Sequence, residues 1–230
     1  MLLNSETPIE ESGDEPAIMF KNSQCPVVIG PNRIQAAKHL MENTDSNVIL
    51  SDDGLQHFSL GRDIEILMID GNRKFGNELL LPAGPLREPK SRIKTVDFTI
   101  SSNRKWPSVA KYEMKYRPFK WVHMKSQKEY DIFDWPLKKE VNAVAGIGNP
   151  SNFFNLLKQL GFEISEYAFP DHHDFHSVDF EIMDNRPTVM TEKDAIKCSF
   201  LNHTNYWYLK IEAEVSDNFE QDFLAEIKSK

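Results

Sequence analysis

The sequence predicts an α/β protein in which short apolar strands alternate with amphipathic helices. The last ninety residues repeat strand and helix patterns clearly, starting with the apolar segment 141–145. Apolar segments at 64–69 and 95–100 extend the pattern into the first half of the chain. Polar residues follow several of these segments, and in open α/β sheets ligands bind at the carboxyl ends of the strands.

The composition of the chain limits the classes of function that it can have. The 230 residues carry a net charge of −8, so no global basic field recruits nucleic acid, and nothing in the pattern indicates an obligate protein partner. The two cysteines, Cys25 and Cys198, lie far apart and are expected to be free thiols in a reducing compartment. No apolar run approaches the ~18 residues of a membrane span, so we expect a soluble, cytoplasmic chain.

The segment 47–57 is the most informative stretch. The run 47–50, apolar at Val48, Ile49 and Leu50, predicts a buried strand, and Asp52, Asp53, Gln56 and His57 follow it closely. Side chains alternate along a strand, so the two carboxylates are expected to point to different sides, and Mg²⁺ is a candidate ligand for one of them. The alternative is an Asp53-Gly54 turn with a solvated Asp52 beside it.

Two further candidates lie near predicted helix starts. Asp14 follows Gly13 and is either a favourable charge in a first helical turn or the proton acceptor that a kinase needs. Residues 25–30 predict a strand, after which Asn32 caps a helix. Arg33 in that first turn opposes the helix dipole, so it is either solvated or held by an anion.

The loop 75–89 contains three prolines and two glycines, which rule out a regular helix. Arg87 is a natural fork for phosphate, and Glu88 is either a metal ligand or an ion-pair partner. A packed surface loop with a salt bridge is the structural alternative.

The C-terminal part contains a strand at 141–146, a helix capped by Asn149-Pro150 and ended by Gly161, and strands at 163–169, 187–190 and 207–215. Between them, His172 belongs to a histidine cluster that suits an imidazole orienting a catalytic carboxylate. We predict three segments: 1–103 as the remainder of a core domain, 104–140 as a connector for which a β-hairpin is expected, and 141–230 as a C-terminal α/β domain.

Six motifs occur in an order that resembles the tetraacyldisaccharide 4'-kinase family, the lipid A 4'-kinases of Gram-negative bacteria. They are Gly13-Asp14-Glu15-Pro16, Ser51-Asp52-Asp53-Gly54-Leu55-Gln56-His57, the loop from Gly76-Asn77 to Leu81-Pro82-Ala83-Gly84-Pro85-Leu86-Arg87-Glu88-Pro89, Gly146-Ile147-Gly148-Asn149-Pro150, Phe169-Pro170-Asp171-His172-His173 and Thr191-Glu192-Lys193-Asp194-Ala195. The resemblance runs from about Gly13 to the C-terminus.

The resemblance implies a P-loop NTPase-like core joined to a smaller α/β C-terminal domain. It implies transfer of the γ-phosphate of ATP to the 4'-hydroxyl of lipid A disaccharide 1-phosphate, with Mg²⁺, by a protein in peripheral contact with the cytoplasmic face of the inner membrane. By the same resemblance the site residues divide into three groups. These are a catalytic group of Asp14, His172 and Asp53, a phosphate-binding or substrate-binding group of Arg33, Arg87 and His57, and a metal group of Asp52, Gln56 and Glu88.

The chain departs from the family in one respect, since no Gly-x-x-x-x-Gly-Lys-Thr loop occurs in its 230 residues. The retained acidic motifs favour a chain that begins late relative to the family, truncated at its N-terminus, over a degenerate gene or a fold that has lost its ATPase part. Such a chain is expected to expose an apolar face. Two other functions stay open: a non-catalytic α/β protein that binds an anionic glycolipid or nucleotide, and a metal-dependent phosphatase or hydrolase.

Overall fold

The computed structural model describes residues 1–201 and 204–230. The chain forms two compact units, each built from two separate segments. Unit 1 comprises Met1–Ile49 and Pro118–Ile211, and unit 2 comprises Leu50–Arg117 and Glu212–Lys230. The three segments predicted from the sequence, with boundaries at 103 and 140, divide the chain differently and stay a prediction.

The helices and strands follow the alternation expected of the class. The helices are α1 (Ile9–Ser12), α2 (Asp14–Ser23), α3 (Arg33–Asn43), α4 (Pro150–Gln159), α5 (Val178–Glu181), α6 (Glu192–Lys197) and α7 (Asp217–Ser229). The strands are β1 (Ile66–Asp70), β2 (Phe98–Ser102), β3 (Tyr112–His123), β4 (Glu129–Asp131), β5 (Glu140–Ala145), β6 (Glu163–Ala168), β7 (Thr188–Thr191) and β8 (Tyr206–Val215). Short 3-10 helices span Gly54–Gln56 and Lys90–Thr95.

The sheet of unit 1 is mainly parallel. Strand β5 lies between β6 and β7, β7 pairs with β8, and all three pairings are parallel. Strand β5 is buried on both faces because Val141, Ala143 and Ala145 pack into one hydrophobic cluster and Val144 into another. Helix α4 covers the first of these clusters with Phe153, Phe154 and Leu157. The antiparallel pairing of β3 with β4 forms a hairpin inside the segment 104–140.

Unit 2 has a smaller parallel sheet, in which β2 lies between β1 and the start of β3. Its core is aromatic. Phe98 packs edge-on against Phe219 and Phe223 of α7, with ring centroids 5.6 and 5.8 Å apart. Phe219 and Phe223 are partly buried by this contact and pack against the hydrophobic cluster of Phe98, Ile100, Tyr112 and Met114.

Two predicted strands do not form. Residues 47–50 have no regular secondary structure, and Val48, Ile49 and Leu50 are exposed. In the segment 25–30 only Val28 makes a bridge, to Leu2. A strand exists only where a neighbouring backbone completes its ladder, and no described strand pairs with either segment.

Among the described residues, no helix combines the length and the apolar character needed to cross a bilayer.

Candidate active site

The first group of functional side chains, here called the Asp14 cluster, consists of Asp14, Asp171, His172, Lys193, Asp194 and Lys197. Asp14 is the first residue of α2, directly after Gly13. Gly13 has φ +81° and ψ 157°, a conformation essentially restricted to glycine. This glycine therefore allows α1 to end and α2 to begin within one residue, which places the Asp14 carboxylate at a helix start.

Three cationic or ionisable groups surround one oxygen of Asp14. Lys197 Nζ lies 3.4 Å from Asp14 Oδ2, Lys193 Nζ 3.9 Å and His172 Nδ1 3.6 Å. The two lysines are four residues apart on α6 and therefore share a helix face. The 3.6 Å contact of His172 with Asp14 is too long for a hydrogen bond, and the catalytic roles of the two residues stay predictions.

His172 adopts a left-handed backbone conformation with φ 59°. Such a conformation is uncommon for a residue with a Cβ atom and concentrates at functional sites. The next residue has a structural role, since His173 stacks on Phe169 with ring centroids 4.6 Å apart and contacts Asp179 Oδ2 through Nε2 at 3.0 Å. The two adjacent histidines thus have different surroundings.

Asp194 connects this cluster to the carboxyl ends of two parallel strands. Its side chain is fully buried, and Oδ2 accepts hydrogen bonds from the N–H of Gly146 at 3.0 Å and the hydroxyl of Thr191 at 2.6 Å. Gly146 follows β5 and Thr191 ends β7. Among the described residues Asp194 Oδ1 has no hydrogen-bond partner, and Lys197 Nζ lies 4.0 Å from it.

The two carboxyl groups have opposite pKa shifts. Burial raises the pKa of Asp194, and the hydrogen bonds from Thr191 and Gly146 offset this only in part. Burial also acts to raise the pKa of Asp14, but a hydrogen bond to its own backbone and the charges of Lys197 and Lys193 outweigh it, so the pKa is lowered. Asp14 is therefore held as a carboxylate at neutral pH.

The second group, here called the Glu88 cluster, lies in unit 2 and consists of Gln56, Arg62, Glu65, Glu88 and Arg92, together with Asp52 on the turn that precedes Gln56. Gln56 donates through Nε2 to Glu88 Oε1 at 2.9 Å, which brings together two of the predicted metal-side residues. Arg92 donates through Nε to Glu88 Oε2 at 3.2 Å and pairs with Glu65. Arg62 pairs with Glu65 as well.

The predicted acidic pair lies on a turn and not at the end of a strand. Asp53 has φ 49° and precedes the 3-10 helix Gly54–Gln56, and both Asp52 and Asp53 are exposed. The turn that the sequence allowed as an alternative is thus the observed local structure. Arg62 fixes this segment by donating to the carbonyl oxygens of Gly54 and Leu55 at 3.0 and 3.1 Å.

The other predicted residues make few contacts. Arg87 is exposed, His57 is half-buried, and among the described residues neither has a side-chain hydrogen bond or an ion pair. Arg33 opens α3, which Asn32 caps by accepting from the N–H groups of Ile34 and Gln35. Their roles as phosphate-binding groups stay predictions.

Unit 2 contains the two carboxylates that the sequence predicts as Mg²⁺ ligands, Asp52 and Glu88. Among the described residues, no group of three or more His, Cys, Asp or Glu side chains is arranged to hold a metal ion. A cage of that kind is not required, because Mg²⁺ in phosphoryl-transfer sites is usually bound by one or two carboxylates together with substrate phosphates. Asp52, which is exposed, and Glu88, which Gln56 orients, carry carboxylate oxygens of the type that such an ion takes as ligands.

Sequence reasoning missed the roles of Lys193, Lys197, Asp194 and Arg92. The first three lie in or next to a motif already noted, Thr191-Glu192-Lys193-Asp194-Ala195, at a strand end. The available signal was the four-residue spacing of the lysines on one helix face. Such spacing is also typical of a solvated surface, so only the fold reveals the carboxylate opposite them.

The fold and the Asp14 cluster together define a class: an α/β protein with a charged, preorganised carboxylate beside the carboxyl ends of parallel strands, the usual location of a ligand site in such sheets. Comparison with known proteins identifies the family. Residues 1–228 match the family model described as Tetraacyldisaccharide-1-P 4'-kinase, and the chain belongs to this family.

Named relatives agree with the family model. The chain is 46% identical over 213 residues to a tetraacyldisaccharide 4'-kinase of Legionella pneumophila strain Corby, and 44% identical over 218 residues to one of Shewanella woodyi. These matches cover 92% and 94% of this chain but 64% and 62% of the relatives, so the chain spans less than two thirds of their length.

A solved structure supports the same fold. The crystal structure of the "apo" form of LpxK from Aquifex aeolicus in complex with ATP superposes with a TM-score of 0.81 at 27% identity, covering 98% of this chain and 73% of that chain. The predicted α/β class and the predicted family resemblance are both confirmed.

Proposed function

We propose that this chain forms part of an ATP-dependent kinase that phosphorylates the 4'-hydroxyl of tetraacyldisaccharide 1-phosphate. Family membership supports the reaction, and the relatives are named for it. The ATP complex of the Aquifex aeolicus structure supports ATP as the phosphate donor. The observation that carries the proposal is the Asp14 carboxylate at the start of α2, whose Oδ2 lies 3.9 Å from Lys193 Nζ and 3.4 Å from Lys197 Nζ.

In this proposal Asp14 accepts the proton of the attacking hydroxyl. The hydroxyl oxygen forms a bond to the γ-phosphorus, the bond from that phosphorus to the bridging oxygen breaks, and ADP leaves. Within the described part of the chain, ion pairs of Asp14 reach only Oδ2. This leaves Oδ1 as the oxygen for the proton, while His172 supports the carboxylate from the side.

Several residues of unit 2, and Arg33 of unit 1, are proposed to act on the phosphates. Asp52 and Glu88 would hold Mg²⁺, with Gln56 orienting Glu88 through their hydrogen bond. When bound, the ion neutralises charge that develops on the transferred group. Asp53 and His57 are proposed to lie beside this metal, and the two arginines Arg33 and Arg87 to contact phosphate oxygens.

The lipid nature of the substrate leads to a further part of the proposal, peripheral contact with the cytoplasmic face of the inner membrane. In the loop 75–89 the consecutive residues Leu79, Leu80 and Leu81 are 52%, 45% and 61% exposed. Exposed apolar side chains of this kind suit acyl chains or the membrane interface better than water.

The test is transfer of labelled phosphate from ATP to tetraacyldisaccharide 1-phosphate in the presence of Mg²⁺. It is run with this chain and with a fusion to the part of the Legionella pneumophila relative that lies outside the matched region. In whichever form is active, Asp14→Asn is expected to lower kcat by about 100-fold or more, because general-base catalysis contributes that much. The matched control is Asp45→Asn, an exposed carboxylate.

Each alternative function predicts a different result. A binding protein would retain ATP or the glycolipid without transferring phosphate, and Asp14→Asn would not change its affinity. A hydrolase would release phosphate from the glycolipid without any nucleotide. Either result, or equal kcat in Asp14→Asn and Asp45→Asn, contradicts the kinase proposal.

A further inference from the structure

Lys197 contacts oxygen atoms from three segments of unit 1. Its Nζ lies 3.4 Å from Asp14 Oδ2 on α2 and 4.0 Å from Asp194 Oδ1 on α6, and it donates to the carbonyl oxygen of His173 at 3.4 Å. The side chain is only 13% exposed. A lysine ordered at this depth loses hydration and rotamer freedom, so these oxygens must hold its ammonium group in place.

Lys197 places a positive charge close to two buried carboxylate oxygens, one of Asp194 and one of Asp14. Asp194 Oδ1 and Asp14 Oδ2 are buried oxygen atoms without a hydrogen-bond partner in residues 1–201 and 204–230. A buried carboxylate without a compensating charge or hydrogen bond is strongly disfavoured. One ammonium group between the two oxygens lowers this cost for both carboxylates.

A phosphate-binding role for the lysines is less consistent with their surroundings. The ionisable groups around Asp14 come from α2, α6 and the segment before α5, and they are Asp14, Glu15, Asp171, His172, Lys193, Asp194 and Lys197. Carboxylates outnumber lysines in this set by four to two. The charges of the lysines are therefore already neutralised by the protein and are not left for a substrate anion.

We propose that Lys197 is the positioning residue of this site, and that its ammonium group, anchored by buried Asp194, keeps Asp14 ionised with Oδ1 directed to the substrate. The proposal rests on the proposed function, in which Asp14 is the base. It goes beyond that function by assigning the orientation and charge of the base to α6. Through Asp194 it also ties the base to Gly146 at the end of β5.

Removal of the lysine charge has a defined consequence for Asp14. Burial already acts to raise the pKa of this carboxyl, and the hydrogen bond from its own backbone N–H together with the charges of Lys197 and Lys193 outweighs it. Without Lys197 the effect of burial is opposed only by Lys193, at 3.9 Å, and by the backbone hydrogen bond. The pKa of Asp14 should then rise, and the base should take up a proton at mildly acidic pH.

The experiment is an NMR titration of the Asp14 carboxyl carbon in the full chain, with isotope-labelled aspartate and assignment by Asp14→Asn. The variants are Lys197→Gln, which retains a donor for the His173 carbonyl, and Lys197→Arg, which retains the charge. The matched control is Lys158→Met, because Lys158 is 53% exposed and pairs with Glu166 on the surface of the same unit. Retained folding is checked by thermal melting.

The midpoint of the Asp14 titration should move upward in Lys197→Gln and stay near the parent value in Lys197→Arg and Lys158→Met. In the active form of the kinase, the acid limb of the kcat/KM profile should move to higher pH in Lys197→Gln alone. A purely structural role would lower activity at every pH without moving this limb.

Three results separate the proposals from each other. An unchanged midpoint in folded Lys197→Gln overturns the positioning role, whatever the kinase activity. A parent chain in which Asp14 titrates at or above 3.8 overturns it without any variant. An upward midpoint without phosphate transfer in any form supports the positioning role and contradicts the proposed kinase function.

Discussion

The Asp14 cluster and the Glu88 cluster place acidic residues in opposite environments. In the Asp14 cluster, Asp194 is fully buried and the lysine partners are mostly buried. In the Glu88 cluster the predicted metal ligand Asp52 is exposed, and Glu88 is already engaged by Gln56 and Arg92. The first group is preorganised by the fold, whereas the second keeps a carboxylate available for a partner from solution.

The contrast has a physical reason. A buried carboxylate needs partners supplied by the folded chain, so its geometry is fixed before any ligand arrives. An exposed carboxylate is hydrated and has little desolvation cost until an ion displaces its water. A fixed orientation suits a proton acceptor such as Asp14, whereas an exposed carboxylate such as Asp52 is free to bind a metal ion from solution.

The largest expected effect is the loss of stability when Asp194 is removed from the Asp14 cluster. Replacement of Asp194 by alanine leaves the N–H of Gly146 and the hydroxyl of Thr191 buried without their acceptor. Since each unsatisfied buried group costs about 1–3 kcal/mol, the free energy of unfolding should fall by about 3 kcal/mol. Urea denaturation followed by tryptophan fluorescence measures this, because Trp121 and Trp207 are buried in unit 1.

The matched substitution in unit 2 is Asp52→Ala. Asp52 is exposed, so its removal should change the free energy of unfolding by less than about 0.5 kcal/mol. Asp194→Asn retains an acceptor oxygen and should lie between the two. Equal losses in Asp194→Ala and Asp52→Ala would show that burial does not distinguish the two clusters.

The next effect concerns the Glu88 cluster and is smaller. Arg92→Met removes the guanidinium that contacts Glu65 and Glu88, whose side chains are 12% and 20% exposed. Two partly buried carboxylates then lose a charge-assisted hydrogen bond, so the free energy of unfolding of unit 2 should fall by about 1 kcal/mol. Hydrogen exchange of amides in β1 and β2 measures this loss within the unit.

The exposed Arg104 provides the control for that substitution. Arg104→Met should leave the exchange of the same amides unchanged, because an exposed arginine without a buried partner contributes little. If Arg92→Met also leaves exchange unchanged, Glu65 and Glu88 do not depend on the arginine, and the Glu88 cluster is a set of independent surface groups.

The fold could be predicted well where hydrophobic patterns and capping residues agree. The strands expected at 141–146, 163–169, 187–190 and 207–215 correspond closely to β5, β6, β7 and β8. The predicted strand at 47–50 failed, because an apolar run does not reveal whether a neighbouring backbone will complete its ladder.

The candidate site was only partly predictable. The contact between Asp14 and His172 was expected from the family resemblance, because their separation in sequence gives no local signal. The contact of Lys197 with Asp14 was not expected, since it depends on α2 and α6 packing together. Contacts of this kind arise from tertiary structure, whereas a capping residue such as Asn32 acts within one turn of its helix.

The smallest predicted effect is a pH dependence of stability with opposite signs at Asp194 and Asp14. The pKa of Asp194 is raised in the folded state. Its contribution to the free energy of unfolding is therefore present in full below the ordinary pKa of 3.8 and is lost as the pH rises through the folded-state pKa. The pKa of Asp14 is lowered, so its contribution is present above 3.8 and is lost as the pH falls through the folded pKa.

Melting temperatures between pH 7 and pH 3 separate the two contributions. Relative to Asp194→Asn, the parent chain should gain stability as the pH falls through the raised folded-state pKa of Asp194, because only the parent takes up a proton at residue 194. Relative to Asp14→Asn, the parent should lose stability below about pH 4, because folding then competes with protonation of an ion-paired carboxylate. If the melting temperatures of the parent and Asp194→Asn change with pH in the same way, Lys197 fully offsets the cost of burying the charge of Asp194. The two clusters would then differ in the geometry of their contacts and not in the protonation of a buried carboxylate.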